Sequence, residues 1–512
     1  VLLVAVAWFA WDKFGSSPEP APATAAVTET SDEPAPEPED TTVDNSVAVL
    51  PFVAMSSGAD DEYFADGLTE EILNSLAQLP ELLVTARTSA FSFKGQDLPI
   101  QEIAATLGVR HIVEGSVRRS GERLRVTAQL IRAEDGFHLW SENYDSTSAD
   151  MISVQENIAE KIASALDVVL DEKKREAMRQ AGLRNPEAFT LYQKGMDYFE
   201  RAHGQMDQLE GLRLANGYFE QVMDRVPEYW EVYANHSDLY VHLLNDVLTN
   251  QFEGNITAEA LAEAYRSMLA DYEAASQYAP TDRQRYLAEL DLAFLNGNWR
   301  GIAGRLEKAL ADTGCRDGNW TATVSNVLGY SAEYVELADK VLACDPLRSL
   351  SWFNASRAKL WAGDAEGALR VAREGFEVAP GTWLTMTLLQ TLMANDLHDE
   401  AHAVIDDEIQ FEGFANVFHV MVEAHRGNPD RLAPLVDALD LDDRAGGFFL
   451  IPVNAWIGRR DAANAFAAEI DEHYFGANVL WQLAQWCQCG SPWDLEVTPN
   501  FAAKVEEANM TW

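Results

Sequence analysis

The sequence predicts an α/β domain, a small mixed sheet with helices, followed by an all-α solenoid, with a fragment of a membrane helix at the amino terminus. Three observations predict this. Short β-branched runs alternate with helical periodicities between residues 47 and 180, whereas alanine-rich amphipathic helices alone fill the chain from Asn185 onward. The first eleven residues, VLLVAVAWFAW, carry no charge. At 512 residues, with 47% hydrophobic and 23% charged content, the chain exceeds one ordinary domain and can bury a core over most of its length.

Residues 1–14 end in Trp8, Trp11, Asp12 and Lys13, the aromatic-then-charged order of a helix leaving hydrocarbon. A span needs about 20 apolar residues, so this is read as the carboxyl-terminal part of a transmembrane helix whose front is missing. The alternative, the end of a signal peptide, lacks a small-x-small cleavage site nearby. Residues 15–45 are rich in Pro, Ala and acids, cannot offset their ordering entropy by burial, and are expected to be a disordered spacer.

Residues 46–180 form the α/β domain. A buried strand is expected over 47–52, a turn over 58–61 and a helix over 63–79, with Asp66 and Thr69 as amino-terminal caps and Glu70 and Glu71 near the positive end of the dipole. Residues 82–86 read as a strand, and 100–107 as a helix closed by Gly108. Residues 111–118 and 124–131 read as a hairpin, because Leu124, Val126, Ala128 and Leu130 alternate with polar residues. A turn at Asp135-Gly136 leads to a strand over 138–144, and one long helix is expected from 151 to about 180.

Residues 181–485 form the solenoid. Trp352, Ala368 and Pro380 stand at the spacing of a tetratricopeptide (TPR) repeat, Gly363-Asp364 turns between its helices, and Pro346 to Pro380 matches a period of ~34 residues. Ala355 and Ser356 depart from that pattern, which puts a large apolar residue and Gly there. Stacked helix pairs of this kind present a concave face to protein partners. Residues 486–512 are expected to cap the last helices.

Four blocks lie in one order and spacing: Val47-Ala48-Val49-Leu50-Pro51-Phe52, Tyr63-Phe64-Ala65-Asp66-Gly67-Leu68-Thr69-Glu70-Glu71, Val113-Glu114-Gly115-Ser116-Val117-Arg118-Arg119 and His138-Leu139-Trp140-Ser141-Glu142-Asn143-Tyr144-Asp145. Together they resemble a TolB-like amino-terminal domain, which in bacteria often stands between a membrane helix and TPR repeats. The tail resembles the closing segment of long TolB-like/TPR proteins. The resemblance implies an output domain upstream of Val1: a winged helix, as in membrane-bound activators of the CadC type, or a class III nucleotide cyclase domain.

Charge and motifs narrow the function. A formal charge of −44, from 82 acids against 38 Lys plus Arg, excludes a nucleic-acid surface, which needs clustered cations. Neither GxxxxGK[ST] nor GxSxG occurs, so no catalytic residue, metal or cofactor is expected. His398 and His402 share a helical face but lack the HExxH pattern and read as an exposed helix turn. Asp437, Asp440, Asp442 and Asp443 lack EF-hand spacing and read as a solvated loop. Asp61, Glu62 and Asp66 are explained by a helix start. Cys315 and Cys344 suit a disulfide in an oxidising compartment, and Cys487 and Cys489 suit a second pair, a metal clip or free thiols; small buried thiols are the alternative for all four.

A polar set remains: Tyr63, Asp66, Gly67, Arg87, Ser89, Phe91, Glu114, Arg118, Trp140 and Tyr144. Some lie at strand ends and helix starts, where open α/β sheets bind ligands. They are candidates for binding a ligand or protein segment, against the alternative of capping helices and filling a polar sheet rim. The expected function is a membrane-anchored protein–protein interaction module, the sensing or scaffolding part of a bacterial transmembrane regulator. It would be held by residues 1–14 as a single-pass protein of the inner membrane, with the bulk of the chain in the periplasm. A homodimer is compatible with it. The alternative is a permanent structural subunit of a large envelope complex.

Overall fold

The computed structural model describes residues 45–510 apart from 57–58, 122, 148–150, 182, 184, 203–207, 249–255, 312–313, 316–317, 319, 410–411, 440–449 and 485–490. The expected membrane helix over 1–14 and the spacer up to residue 44 lie outside the described residues, as do Cys487, Cys489, Asp440, Asp442 and Asp443. Among the described residues no helix is long and apolar enough to cross a membrane. The protein is mostly helical, with one small mixed sheet.

The sheet contains β1 (Ser46–Val49), β2 (Val53–Ala54), β3 (Leu83–Val84), β4 (His111–Ser120), β5 (Arg123–Arg132) and β6 (His138–Thr147), in the order β3-β1-β4-β5-β6 with β2 also beside β4. β1 is parallel to β3 and β4, and β4-β5-β6 is an antiparallel meander. Accompanying helices are α1 (Ala59–Leu76), α2 (Arg87–Phe91), α3 (Ile100–Leu107), α4 (Met151–Ala165) and α5 (Glu172–Ala181). Val47, Val49, Val113, Val117, Val126 and Leu130 face Leu68, Ile72 and Leu76 of α1 and Ile158 and Ile162 of α4 in one core. Each such fully buried side chain contributes about 1.5–3 kcal/mol. Strand alternation puts Ala48, Leu50 and Ile112 on the other face, against Ile103 and Leu107 of α3. Gly115 is required by close approach: a Cβ there would stand 2.4 Å from the Thr127 carbonyl oxygen and 2.5 Å from the Phe52 ring.

Three local expectations are corrected. The strand expected over 47–52 stops at Val49, because Pro51 has no N–H to give; the Phe52 N–H donates instead to Thr69 Oγ1, 2.9 Å away. The helix expected from Tyr63 starts at Ala59, so Asp66 and Thr69 are interior residues and not caps, and Thr69 Oγ1 donates to Ala65 O. The single helix expected over 151–180 is two. Asp167 takes φ +58, the Val168 N–H turns back to Ala163 O, and Asp171 Oδ1 accepts from Lys174 N at 2.8 Å to open α5.

The helical array begins with α6 (Pro186–Ala202), α7 (Gln208–Arg225), α8 (Trp230–His236), α9 (Asp238–Leu248), α10 (Ala258–Tyr278), α11 (Asp282–Leu295), α12 (Ile302–Leu310), α13 (Thr321–Leu328) and α14 (Ser331–Cys344). It continues through α15 (Ser349–Trp361), α16 (Ala365–Val378), α17 (Thr382–Ala394), α18 (His398–Glu408), α19 (Glu412–Arg426) and α20 (Pro429–Ala438). It ends with α21 (Leu450–Trp456), α22 (Arg460–Asp471), α23 (Gly476–Ala484) and α24 (Pro499–Glu507). The TPR-like hairpin is α15–α16. Ser356 is fully buried and its Oγ donates to Ala368 O at 2.9 Å, which accounts for a small polar residue at a position the repeat pattern gives to Gly.

The array closes on itself. Trp481 of α23 meets Trp299 edge-on with ring centroids 4.1 Å apart, and its Nε1 donates to Thr323 O. Asn478 Nδ2 donates to Phe294 O, and Phe501 of α24 also packs on Trp299. Helices α21–α24 therefore share one core with α9–α13. The tail reaches beyond capping its neighbours, and the array is not an open superhelix.

Candidate functional site

Eight of the ten residues singled out in the α/β domain fall into three groups, and Ser89 and Phe91 lie at the junctions described below. Tyr63, Asp66, Gly67 and Arg87 lie where α1 and α2 meet the start of the array. Asp66 is ion-paired to Lys94 at 2.6 Å, and Lys94 also reaches Glu62 at 2.8 Å. Burial pushes the Asp66 carboxyl up, against the pull of Lys94. Lys194 of α6 stands over the Tyr63 ring. Gly67 lets α6 approach: a Cβ would meet the Phe189 ring at 1.8 Å.

Beneath this rim lies a polar junction that the sequence reading missed. Arg87 Nε binds Glu70 Oε2 at 2.8 Å, with its guanidinium 4.2 Å over the Phe91 ring. Gln193 of α6 donates to the same Glu70 oxygen at 3.1 Å. Both Glu71 oxygens accept from the Leu183 N–H at 3.1 Å. Burial pushes the Glu71 carboxyl up to about 8, so it holds its proton at neutral pH. Glu70 and Glu71 join α1 to the array instead of stabilising a helix start. The signal was local: on a helix begun at Ala59 they are interior residues flanked by buried Leu68, Ile72 and Leu73.

Glu114 and Arg118 occupy the opposite, largely uncovered sheet face. There Gln129 donates to Glu114, Thr127 Oγ1 donates to Asn143 Oδ1 at 2.7 Å, and Arg125 grips Asp145 through two contacts of 2.6 and 2.8 Å. Arg118 is exposed and pairs in register with Arg125. Trp140 and Tyr144 point the other way, half-buried against the α1–α4 core, where the Tyr144 hydroxyl reaches Asn157 Oδ1 at 2.9 Å. The structure does not gather the set into one pocket.

A second junction fixes the domain to a distant part of the array. The Ala86 N–H donates to Cys344 O at 2.8 Å, Ser89 Oγ donates to Asp345 Oδ1 at 2.6 Å, and the Leu347 N–H donates to Ser89 Oγ at 2.9 Å. Leu347 packs into the α3 cluster. A disulfide joins Cys344 to Cys315, with Cα atoms 5.7 Å apart, and ties this turn to the α12–α13 connection. His398 and His402 are not an exposed turn, because α19 covers them: His398 is buried, and His402 binds Glu423, itself 2% exposed.

No protein-family model matches the chain. A protein of Rhizobium meliloti (strain 1021) named "Putative adenylate cyclase 3" is 35% identical over 219 residues, which make up 43% of this chain and 36% of that relative. The chain thus matches only about a third of the length of this curated relative. A tetratricopeptide repeat protein from Parabacteroides merdae ATCC 43184 aligns over 62% of this chain and 98% of its own at 10% identity, with a TM-score of 0.29.

Proposed function

We propose that this chain is a protein–protein interaction module, the sensing or scaffolding part of a bacterial regulator. Residues 1–14 anchor it in the inner membrane as a single-pass protein, and the bulk of the chain lies in the periplasm. The observation that carries the reading is the double attachment of the α/β domain to the array. Glu70 holds it to Gln193 of α6, Glu71 holds it to Leu183 just before α6, and Ser89 holds it to the turn after α14. A partner gripping the array therefore bears on the domain at two points, as a sensor or scaffold requires. The TPR-like hairpins support a protein partner. The Cys315–Cys344 disulfide supports an oxidising compartment. A nucleotide cyclase output elsewhere in the full protein accords with the name of the Rhizobium meliloti relative.

The test is affinity capture of the native full-length protein from detergent-solubilised membranes, with mass spectrometry of what accompanies it and size-exclusion chromatography of the product. A partner that exchanges between bound and free pools supports the sensor. Constant co-elution with the same subunits points to a permanent structural component. A protein that returns alone overturns both.

A further inference from the structure

Helices α18 and α19 bring four histidines to one seam, in two pairs. His398 Nε2 lies 3.0 Å from His425 Nδ1, with ring centroids 5.2 Å apart. His402 Nδ1 lies 2.7 Å from His419 Nδ1. The pairs differ in what surrounds them. A carboxylate oxygen of Asp396 stands with the ring nitrogens of His398 and His425, all within 4.8 Å of one another. His402 and His419 instead turn their Nε2 atoms to Glu423 and Asp406, at 2.6 and 3.3 Å.

We infer that Asp396, His398 and His425 form a binding site for a divalent transition-metal ion of the Zn2+ class, held by two imidazoles and one carboxylate with a fourth position left to water. The donor chemistry fits a borderline cation. The ligand orientation is already set. His398 Nδ1 lies 3.1 Å from the Asp396 backbone oxygen, which only accepts, so the proton sits on Nδ1 and the Nε2 lone pair faces His425. Two nitrogens at about 2.0–2.1 Å from a tetrahedral ion stand about 3.3 Å apart, and a separation of 3.0 Å needs only a slight opening. His398 is 8% exposed, so its ring is fixed by packing, whereas the exposed Asp396 side chain is free to swing in.

The turn itself carries the second observation. Asp396 takes φ +59 in the connection after α17. Comparable helix ends in this array use Gly297, Gly329, Gly363, Gly427 and Gly458, with φ between +68 and +89, and Asn509 after α24, with φ +59. Glycine is the low-strain residue there. The aspartate supplies both the carbonyl that orients His398 and the carboxylate of the donor set.

The test is calorimetric titration of chelator-treated, untagged full-length protein with Zn2+, in excess Mg2+ to occupy the acidic surface. One saturable Zn2+ is expected. It is lost in His398→Gln and in His425→Gln, and retained in His402→Gln. Because a variant can fail for want of folding, circular dichroism accompanies each, and Co2+ is titrated into the unaltered protein. A tetrahedral Co2+ absorption spectrum is expected. Absence of saturable Zn2+ binding, its survival in the His398→Gln/His425→Gln double variant, or an octahedral Co2+ spectrum would each overturn the site.

Discussion

Ser89 Oγ donates to Asp345 Oδ1 at 2.6 Å across 256 residues of chain. The same hydroxyl accepts from the Leu347 N–H, so one serine joins the α/β domain to the turn between α14 and α15. Burial pushes the Asp345 carboxyl up, and the Ser89 hydrogen bond opposes that shift. Ser89→Ala leaves a buried carboxylate and a backbone N–H short of a partner, at a cost of about 1–3 kcal/mol. Urea denaturation should show that loss. Hydrogen exchange should rise at residues 344–347 while the α6–α7 hairpin keeps its protection.

Glu71 sets a pH dependence whose sign follows from its burial. Its carboxyl is raised from 4.5 to about 8 in the folded protein. The folded state binds this proton more tightly than the unfolded one, so the stabilisation is complete below about 4.5 and is lost as the pH rises through about 8. Glu71→Gln removes this titration. The stability of the unaltered protein relative to Glu71→Gln should therefore fall across that window, as read by urea denaturation at its two ends. Parallel pH profiles for the two proteins would contradict the assignment.

The disulfide fixes the turn on which the second junction rests. Closing a loop across a sequence separation of 29 stabilises by about 3.6 kcal/mol in the chain-entropy account. Replacing Cys315 and Cys344 by Ser should lower the melting temperature. It should also loosen the Ser89–Asp345 contact, so that Ser89→Ala costs less in that background than in the disulfide-bonded protein. Strict additivity of the two changes would show that the turn stands without its disulfide.

The elements that the sequence announced were those written in local periodicity. Alternation in Leu124–Leu130 marked β5, and Gly363-Asp364 between Trp352 and Ala368 marked the α15–α16 hairpin. What it hid depended on partners far along the chain or on a boundary misplaced by a few residues. Starting α1 at Tyr63 instead of Ala59 turned buried Thr69 and the junction residues Glu70 and Glu71 into helix-end residues. Gly67 stood out as polar-site glycine, but its reason is the Phe189 ring. Nothing local ties Trp481 to Trp299, so closure of the array was not legible. His398 and His402 were visible as a helical pair; their partners His425 and His419 lie on the next helix, at spacings set by packing and by no motif.

The most direct test of a partner-binding role is cross-linking mass spectrometry of the full-length protein in native membranes, with a carboxylate-reactive reagent suited to its 82 acidic residues. The account predicts recurrent intermolecular links from the array or the uncovered sheet face to one or a few proteins. It also predicts intramolecular links between the α/β domain and residues near Asp345. Links confined to the chain itself, under conditions that capture known membrane complexes, would contradict it.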